Sequence, residues 1–246
     1  IGRDMNGSMI YDELKREHVK FMGVISKDKT DFSIVLDSKG KDRTILNYKD
    51  ASSKLKYSEI KTGFSTRWFY FSSMTGESLK TIKETAVRAR GKINLGFNAS
   101  SYLVKNGIGP IKEILKASTV FVLNKEEAEM LVGKSKIEQM LVKIRNAGPR
   151  IVCITDGEKG SHLYDGRMYY YQKARKIKVV EKTGAGDAYA ATLIAGLIRG
   201  RNIEEAMSMA AANAESVIMH KGAKNILLSW NNVIGKKSVI VKKRMK

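Results

Sequence analysis

The chain has 246 residues, of which 43% are hydrophobic, enough to bury a full core, and it carries a formal net charge of +20. A single cysteine, Cys153, excludes a disulfide framework and points to a reducing compartment. No apolar run is long enough to cross a bilayer and no secretory signal opens the chain, so the expected setting is cytoplasmic with no membrane partner.

The opening "IGRDMNG" begins at Ile1 rather than at a methionine, and a further segment is expected upstream. "SMIYDELKREHV" spaces Ile10, Leu14 and Val19 as an amphipathic helix does. "DFSIVLDSKGKDRTILNY" holds two β-prone runs on either side of Ser38-Lys39-Gly40-Lys41, the pattern of a hairpin. "TRWFYFSS" reads as a strand, "ESLKTIKETAVRAR" as a helix, "KINLGFN" as a strand, "IGPIKEILKAS" as a helix and "TVFVLN" as a strand. "KEEAEMLVG" and "KSKIEQMLVKIRNAG" supply further helices, followed by the strand and turn "RIVCITDGEKG" and the hairpin "SHLYDGRMYYYQ". Two final helices follow; in the second, Asn202 and Glu205 have capping-box spacing, and Gly222 stands as a C-terminal stop. The C-terminal "GKKSVIVKKRMK" reads as a local concentration of basic charge.

This alternation predicts an α/β fold with a mostly parallel sheet covered on both faces. Ligands in such sheets bind beyond the carboxyl ends of the strands, which singles out Asn98, Asn124 and Thr155-Asp156-Gly157. Basic residues are spread through the whole chain without a helix-turn-helix, zinc or RNA-binding signature, so they read as a solvated surface and nucleic acid is not expected as a partner. His18, His162 and His220 lack metal-ligand spacing.

The stretch "KTGAGDAY", Lys182 to Tyr189, runs straight into the apolar "AATLIAGLIRG". Gly184 and Gly186 let a ligand approach the main chain, and a helix starting here aims its unpaired N–H groups and positive dipole end at one spot. Asp187 in the first turn is awkward beside a simple phosphate cradle, because like charges repel. It makes sense where the carboxylate takes a proton from a hydroxyl while the amides stabilise a moving phosphoryl group. The bland alternative is a loop followed by an ordinary first-turn aspartate, and the octet alone leaves both open. Asn124 and Glu127 likewise read as a capping arrangement, as a contribution to a hydrated magnesium ion, or as both. Thr155 to Gly160 reads equally as a strand-ending turn or as a backbone flanking a nucleotide.

In this order the motifs resemble the ribokinase-like, or phosphofructokinase-B type, sugar and nucleoside kinases. The family signature D-T-x-G-A-G-D-x-F is similar to Glu181 through Tyr189. The resemblance implies Asp187 as catalytic base at the acceptor hydroxyl, the Gly184, Ala185 and Gly186 amides as an anion hole, and Thr183 beside the nucleotide. N-x-x-E looks like Asn124 and Glu127, implying phosphate placement and Mg2+ held through water. T-x-G looks like Thr155 and Gly157, with Gly160 closing the turn, and "AANAESVIMHKGA" resembles the adenine-side helix and loop, implying Asn213 and Gly222 near ATP.

The fold so implied is a three-layer α/β/α sandwich with a mostly parallel central sheet and a small β lid. Residues 1–246 would form one domain, incomplete at its N-terminal side, with about 28–50 contributing a hairpin to a lid that closes over the acceptor and can pair two copies into a homodimer. Arg43 in that hairpin is a candidate for substrate contact, a solvated arginine being the alternative. The opening residues resemble the family's G-x-D-x-x-G region, and the expected upstream segment would carry the Gly-Gly stretch that grips the sugar. Glu181 stands in place of the usual aspartate and Lys182 follows it, which leaves a monovalent-cation site open; Gly96 stands where many relatives carry Asp, which loosens any role for Asn98. The implied activity is ATP- and Mg2+-dependent phosphoryl transfer to a hydroxyl of a sugar or nucleoside. The alternative is a non-catalytic nucleotide-binding or basic nucleic-acid-associated protein that kept the fold and lost the acceptor pocket.

Overall fold

The computed structural model describes residues 1–36, 44–60 and 65–245. The chain forms two compact units, one of residues 1–65 with 74–88 and one of 66–73 with 89–246.

In the first unit, helix α1 (Met5–Arg16) starts at Asp4, whose carboxylate accepts hydrogen bonds from the Gly7 amide at 2.8 Å and the Thr30 amide at 2.8 Å. These amides and the Thr30 hydroxyl pull the Asp4 pKa down to about 2. Gly2 lies so close to the chain at Asp28 that a Cβ would stand 2.2 Å from that carbonyl oxygen. The glycines flanking Asp4 thus allow a close backbone crossing. Strands β1 (Phe32–Leu36) and β2 (Thr44–Tyr48) pair antiparallel from Phe32↔Tyr48 to Leu36↔Thr44, as the hairpin spacing predicts; the predicted turn lies outside the described residues. Every residue of both strands is exposed.

The second unit is built on a seven-stranded sheet: β3 (Trp68–Phe71), β4 (Asn94–Asn98), β5 (Val120–Asn124), β6 (Ile151–Thr155), β7 (Ser161–Tyr164), β8 (Met168–Gln172) and β9 (Ile240–Arg244). Strands β3 to β6 are parallel, and each later strand pairs antiparallel with its predecessor. Along the chain, helix α2 (Gly76–Ala89), which belongs to the first unit up to residue 88, lies between β3 and β4; within the second unit α3 (Ser101–Val104), α4 (Lys112–Ala117), α5 (Lys125–Val132) and α6 (Ile137–Asn146) make the later parallel crossovers, and α7 (Ala185–Ile198), α8 (Ile203–Ile218) and α9 (Trp230–Val233) join β8 to β9. Strand β9 comes from the tail that reads in the sequence as a run of basic charge. Its Ile240 packs against the core and Lys242 meets Glu204 at 2.8 Å, so the lysines decorate an edge strand.

Side chains alternate between the sheet faces. Val120, Val122, Cys153 and Leu163 point one way and pack with Leu193 and Ile194 of α7 and Met207 and Ala210 of α8. Phe97 and Phe121 point the other way and stack at 5.2 Å. Each fully buried aliphatic side chain here contributes roughly 1.5–3 kcal/mol. Burial pushes the Cys153 thiol up to about 12, so it serves as an inert core group. Two glycines set how closely α7 sits: a Cβ on Gly96 would meet Ile194 Cδ1 at 2.6 Å, and one on Gly196 would meet Ala206 Cβ of α8 at 2.9 Å. Under α7, the Ser161 and Tyr189 hydroxyls stand 2.7 Å apart and 2.9 and 3.1 Å from Gln172 Oε1, so one hydroxyl donates to the other and that one donates to the amide oxygen, while Gln172 Nε2 donates to the Met207 carbonyl at 3.0 Å. This fully used polar network locks the first turns of α7 onto β7, β8 and α8.

Candidate functional site

The register pairs Asn124 with Thr155 and Asn98 with Val122, so all three suspects stand at the carboxyl ends of parallel strands. Asn98 Nδ2 donates to the Val122 carbonyl at 3.2 Å, bracing neighbouring strand ends. Asn124 caps α5: its Oδ1 accepts from the Glu127 amide at 2.8 Å while Glu127 Oε2 accepts from the Asn124 amide at 2.9 Å. Glu127 is buried, and burial is the main reason its carboxyl lies above the usual value; the Asn124 and Ser101 amides oppose the shift and the Asp187 charge adds to it. The two carboxylates therefore sense one another, an arrangement suited to a hydrated divalent cation.

Helix α7 begins differently. Its cap, Gly184, sits at φ +83° with no side-chain cap, and a Cβ there would stand 1.8 Å from the Ala223 carbonyl oxygen. Only glycine can both hold this left-handed angle and allow the loop after α8 to close in. The first amides of the helix lack intrahelical acceptors. Gly186 faces open space, with nothing within 4 Å of where its Cβ would lie. Asp187 follows, exposed to solvent on one side, yet desolvated enough by the surrounding protein that its carboxyl is raised above 3.8. The result is an open, positively polarised helix start with a carboxylate at its rim.

The approach to α7 is pinned. The Val180 and Glu181 amides donate to the Ile218 carbonyl at 2.8 and 3.2 Å, and the Gly222 amide donates to Glu181 Oε2 at 2.8 Å. The glutamate at 181 thus ties the segment before α7 to the loop after α8. Asn213 is buried, donating to Thr192 Oγ1 at 2.7 Å and accepting from the Leu228 amide at 2.8 Å, so its side chain holds α7, α8 and the following loop together. After β6, Gly157 (φ +52°) opens a tight turn and Gly160 (φ +97°) closes it against the Gln172 carbonyl, where a Cβ would lie 1.9 Å away. Lys125 of α5 reaches Asp156 at 3.4 Å and fixes this turn to the helix start beside it.

The structure thus gathers Asn124, Glu127, Thr155, Gly184, Gly186 and Asp187 along one edge of the sheet, and joins Glu181 and Gly184 to the Gly222–Ala223 loop. Thr183 sits within that pinned approach, between Glu181 and Gly184. Arg43 lies outside the described residues. Sequence reasoning missed the Ser101 amide at Glu127 and the Lys125–Asp156 tie, both set by tertiary placement. Among the described residues no group of three or more His, Cys, Asp or Glu side chains could hold a metal ion, and no helix is long and apolar enough to cross a membrane.

Residues 1–230 match the family described as pfkB family carbohydrate kinase. An uncharacterized sugar kinase of Archaeoglobus fulgidus is 27% identical over 231 residues, spanning 91% of each chain. The crystal structure of Methanocaldococcus jannaschii nucleoside kinase, an archaeal member of the ribokinase family, superposes with a TM-score of 0.79 at 22% identity, covering 95% of this chain and 77% of that one. An E. coli structure holding ATP and Mg2+ superposes with a TM-score of 0.82 at 18% identity, covering 95% and 79%. These structural likenesses carry the fold: a ribokinase-type sheet flanked by helices.

Proposed function

For a chain that belongs to the pfkB carbohydrate kinase family, we propose ATP-dependent transfer of a phosphoryl group to a primary hydroxyl of a sugar or nucleoside. The observation that carries this reading is the uncapped start of α7, with open space over Gly186 and Asp187 at its rim.

The residues suit a nucleotide and its metal. The Gly184 and Gly186 amides match phosphate oxygens, the Ala185 amide donating back to the Lys182 carbonyl at 3.4 Å, and the turn at 155–160 and the loop at 222–223 flank the same edge of the second unit. Bound ATP would supply the γ-phosphoryl group, with Mg2+ neutralising phosphate charge near Glu127. Asp187 accepts the proton of the acceptor hydroxyl, and burial, by raising its pKa, makes it a better base. The α7 amides hold the negative charge of the moving phosphoryl group without reorganising. The sugar kinase and nucleoside kinase names of the relatives support both acceptor classes. The hairpin of β1 and β2, exposed at every strand residue, is a surface on which two copies could pair. No finding favours a non-catalytic or nucleic-acid-associated protein.

The test is ADP release with ATP and Mg2+ across D-ribose, D-fructose, cytidine and adenosine, with phosphorylated product identified by mass spectrometry. Acceptor-dependent ADP and a monophosphorylated product are expected. Binding of ATP without transfer to any acceptor would end the proposal.

A further inference from the structure

We infer that Tyr70 is an acceptor-binding residue: its phenol stands beside Asp187 and donates a hydrogen bond to an oxygen of the sugar or nucleoside next to the hydroxyl that is phosphorylated. The inference rests on the kinase reading above and adds to it a residue that no motif marks.

The geometry follows from strand alternation and helix periodicity. Trp68 of β3 packs against the core cluster under α7, so Tyr70, two residues on, points to the same face of the sheet. Tyr70 pairs in register with Gly96, and the space left by the missing Gly96 side chain is filled by Ile194 of α7. Ile194 lies seven residues beyond Asp187, two helical turns, so both project from the same side of α7. Tyr70 is level with Gly96 and so with Ile194, and following α7 from Ile194 two turns toward its start leads along that same face to Asp187. The electrostatics agree: burial, then the Asp187 charge, raise the Tyr70 phenol to about 12, so ring and carboxylate share one region. A phenol held that high stays protonated at working pH and acts as a donor.

Tyr70 lies on β3, an edge strand of the described sheet, and is 42% exposed, so its ring is open to a ligand. An exposed aromatic ring with a free O–H next to a catalytic base gives a polyol two things to hold: a flat apolar face and a directional donor. Asp187 takes the proton of the reacting hydroxyl, and Tyr70 fixes the oxygen beside it, so the pair sets which hydroxyl points at the phosphate.

The experiment is steady-state kinetics of Tyr70→Phe and Tyr70→Ala on the best of D-ribose, D-fructose, cytidine and adenosine, varying acceptor at saturating ATP and then ATP at saturating acceptor. Loss of the O–H in Tyr70→Phe should raise the acceptor KM about 5–10-fold, and loss of the ring in Tyr70→Ala about 100-fold, with the ATP KM within about twofold of wild type. Unchanged acceptor KM in both variants, or an equal rise in ATP KM, overturns the assignment while the kinase reading stands. Wild-type protein that phosphorylates none of the four overturns both. Should Tyr70→Ala not fold, as read by its thermal melt, Tyr70→Phe decides alone.

Discussion

Helices α5 and α7 both start at the carboxyl edge of the sheet and both carry an acid in the third position, yet their starts are built in opposite ways. At α5 the cap is closed: Asn124 and Glu127 satisfy each other's amides, as Asn202 and Glu205 do at α8. At α7 the cap is a left-handed glycine with no side chain to give, and the acid, Asp187, is left facing open space. A helix start that only has to be stable uses its own side chains. One that leaves its amides open forgoes about 1 kcal/mol of capping, which is reasonable where a ligand supplies the missing partners.

The sharpest break in that comparison is Asp187→Asn, expected to lower kcat at least about 1,000-fold while ATP affinity, read by calorimetry, stays within a few-fold. Burial raises the folded-state pKa of Asp187 above 3.8, so the folded protein holds that proton more tightly than the unfolded chain does. Its charge therefore subtracts stability as pH rises from the unfolded value through the folded one. The asparagine variant should melt no lower than wild type at pH 7, and slightly higher if the penalty outweighs the helix-dipole term. A melt well below wild type would mean that Asp187 is a structural cap.

The two glycines separate next. Gly184→Ala forces a Cβ into the Ala223 carbonyl and a strained φ, costing about 1–3 kcal/mol or more in urea unfolding and disrupting activity with it. Gly186→Ala adds its methyl to open space inside a helix, so stability should hold or rise by up to about 1 kcal/mol while kcat/KM falls at least about tenfold. Full activity in Gly186→Ala would show that nothing binds over that amide. The smallest expected effect is Glu127→Gln, which keeps the capping hydrogen bond and removes the charge: unfolding free energy should shift by less than about 0.5 kcal/mol while the Mg2+ needed for half-maximal rate rises about tenfold. An unchanged Mg2+ titration would reduce Glu127 to a cap.

Much of this was legible before any coordinates. The alternation of strands and helices in the second unit follows from β-branched runs and helical periods, and Asn124, Thr155 and Asp187 are suspects because they follow strands or open a helix. The role of Asn213 was less legible: its side chain is occupied by Thr192 and Leu228, partners 21 and 15 residues away in sequence. Strand β9 was hidden because lysines on an edge strand look like a charged tail, and the pairing Tyr169↔Lys243 is long-range. Tyr70 carried no local mark, since aromatic residues are ordinary in strands.

The sequence by itself determined the α/β alternation, the capping boxes and the glycine-rich run that leads into Asp187, because these depend on side-chain chemistry within a turn or two of helix. Only the tertiary structure decided that Gly184 must be glycine against Ala223, that Glu181 reaches the Gly222 amide, and that Tyr70 and α7 share one face of the sheet. Those contacts join segments about 40 to more than 100 residues apart, and such meetings are fixed by how the sheet and α7 pack, which no local pattern encodes.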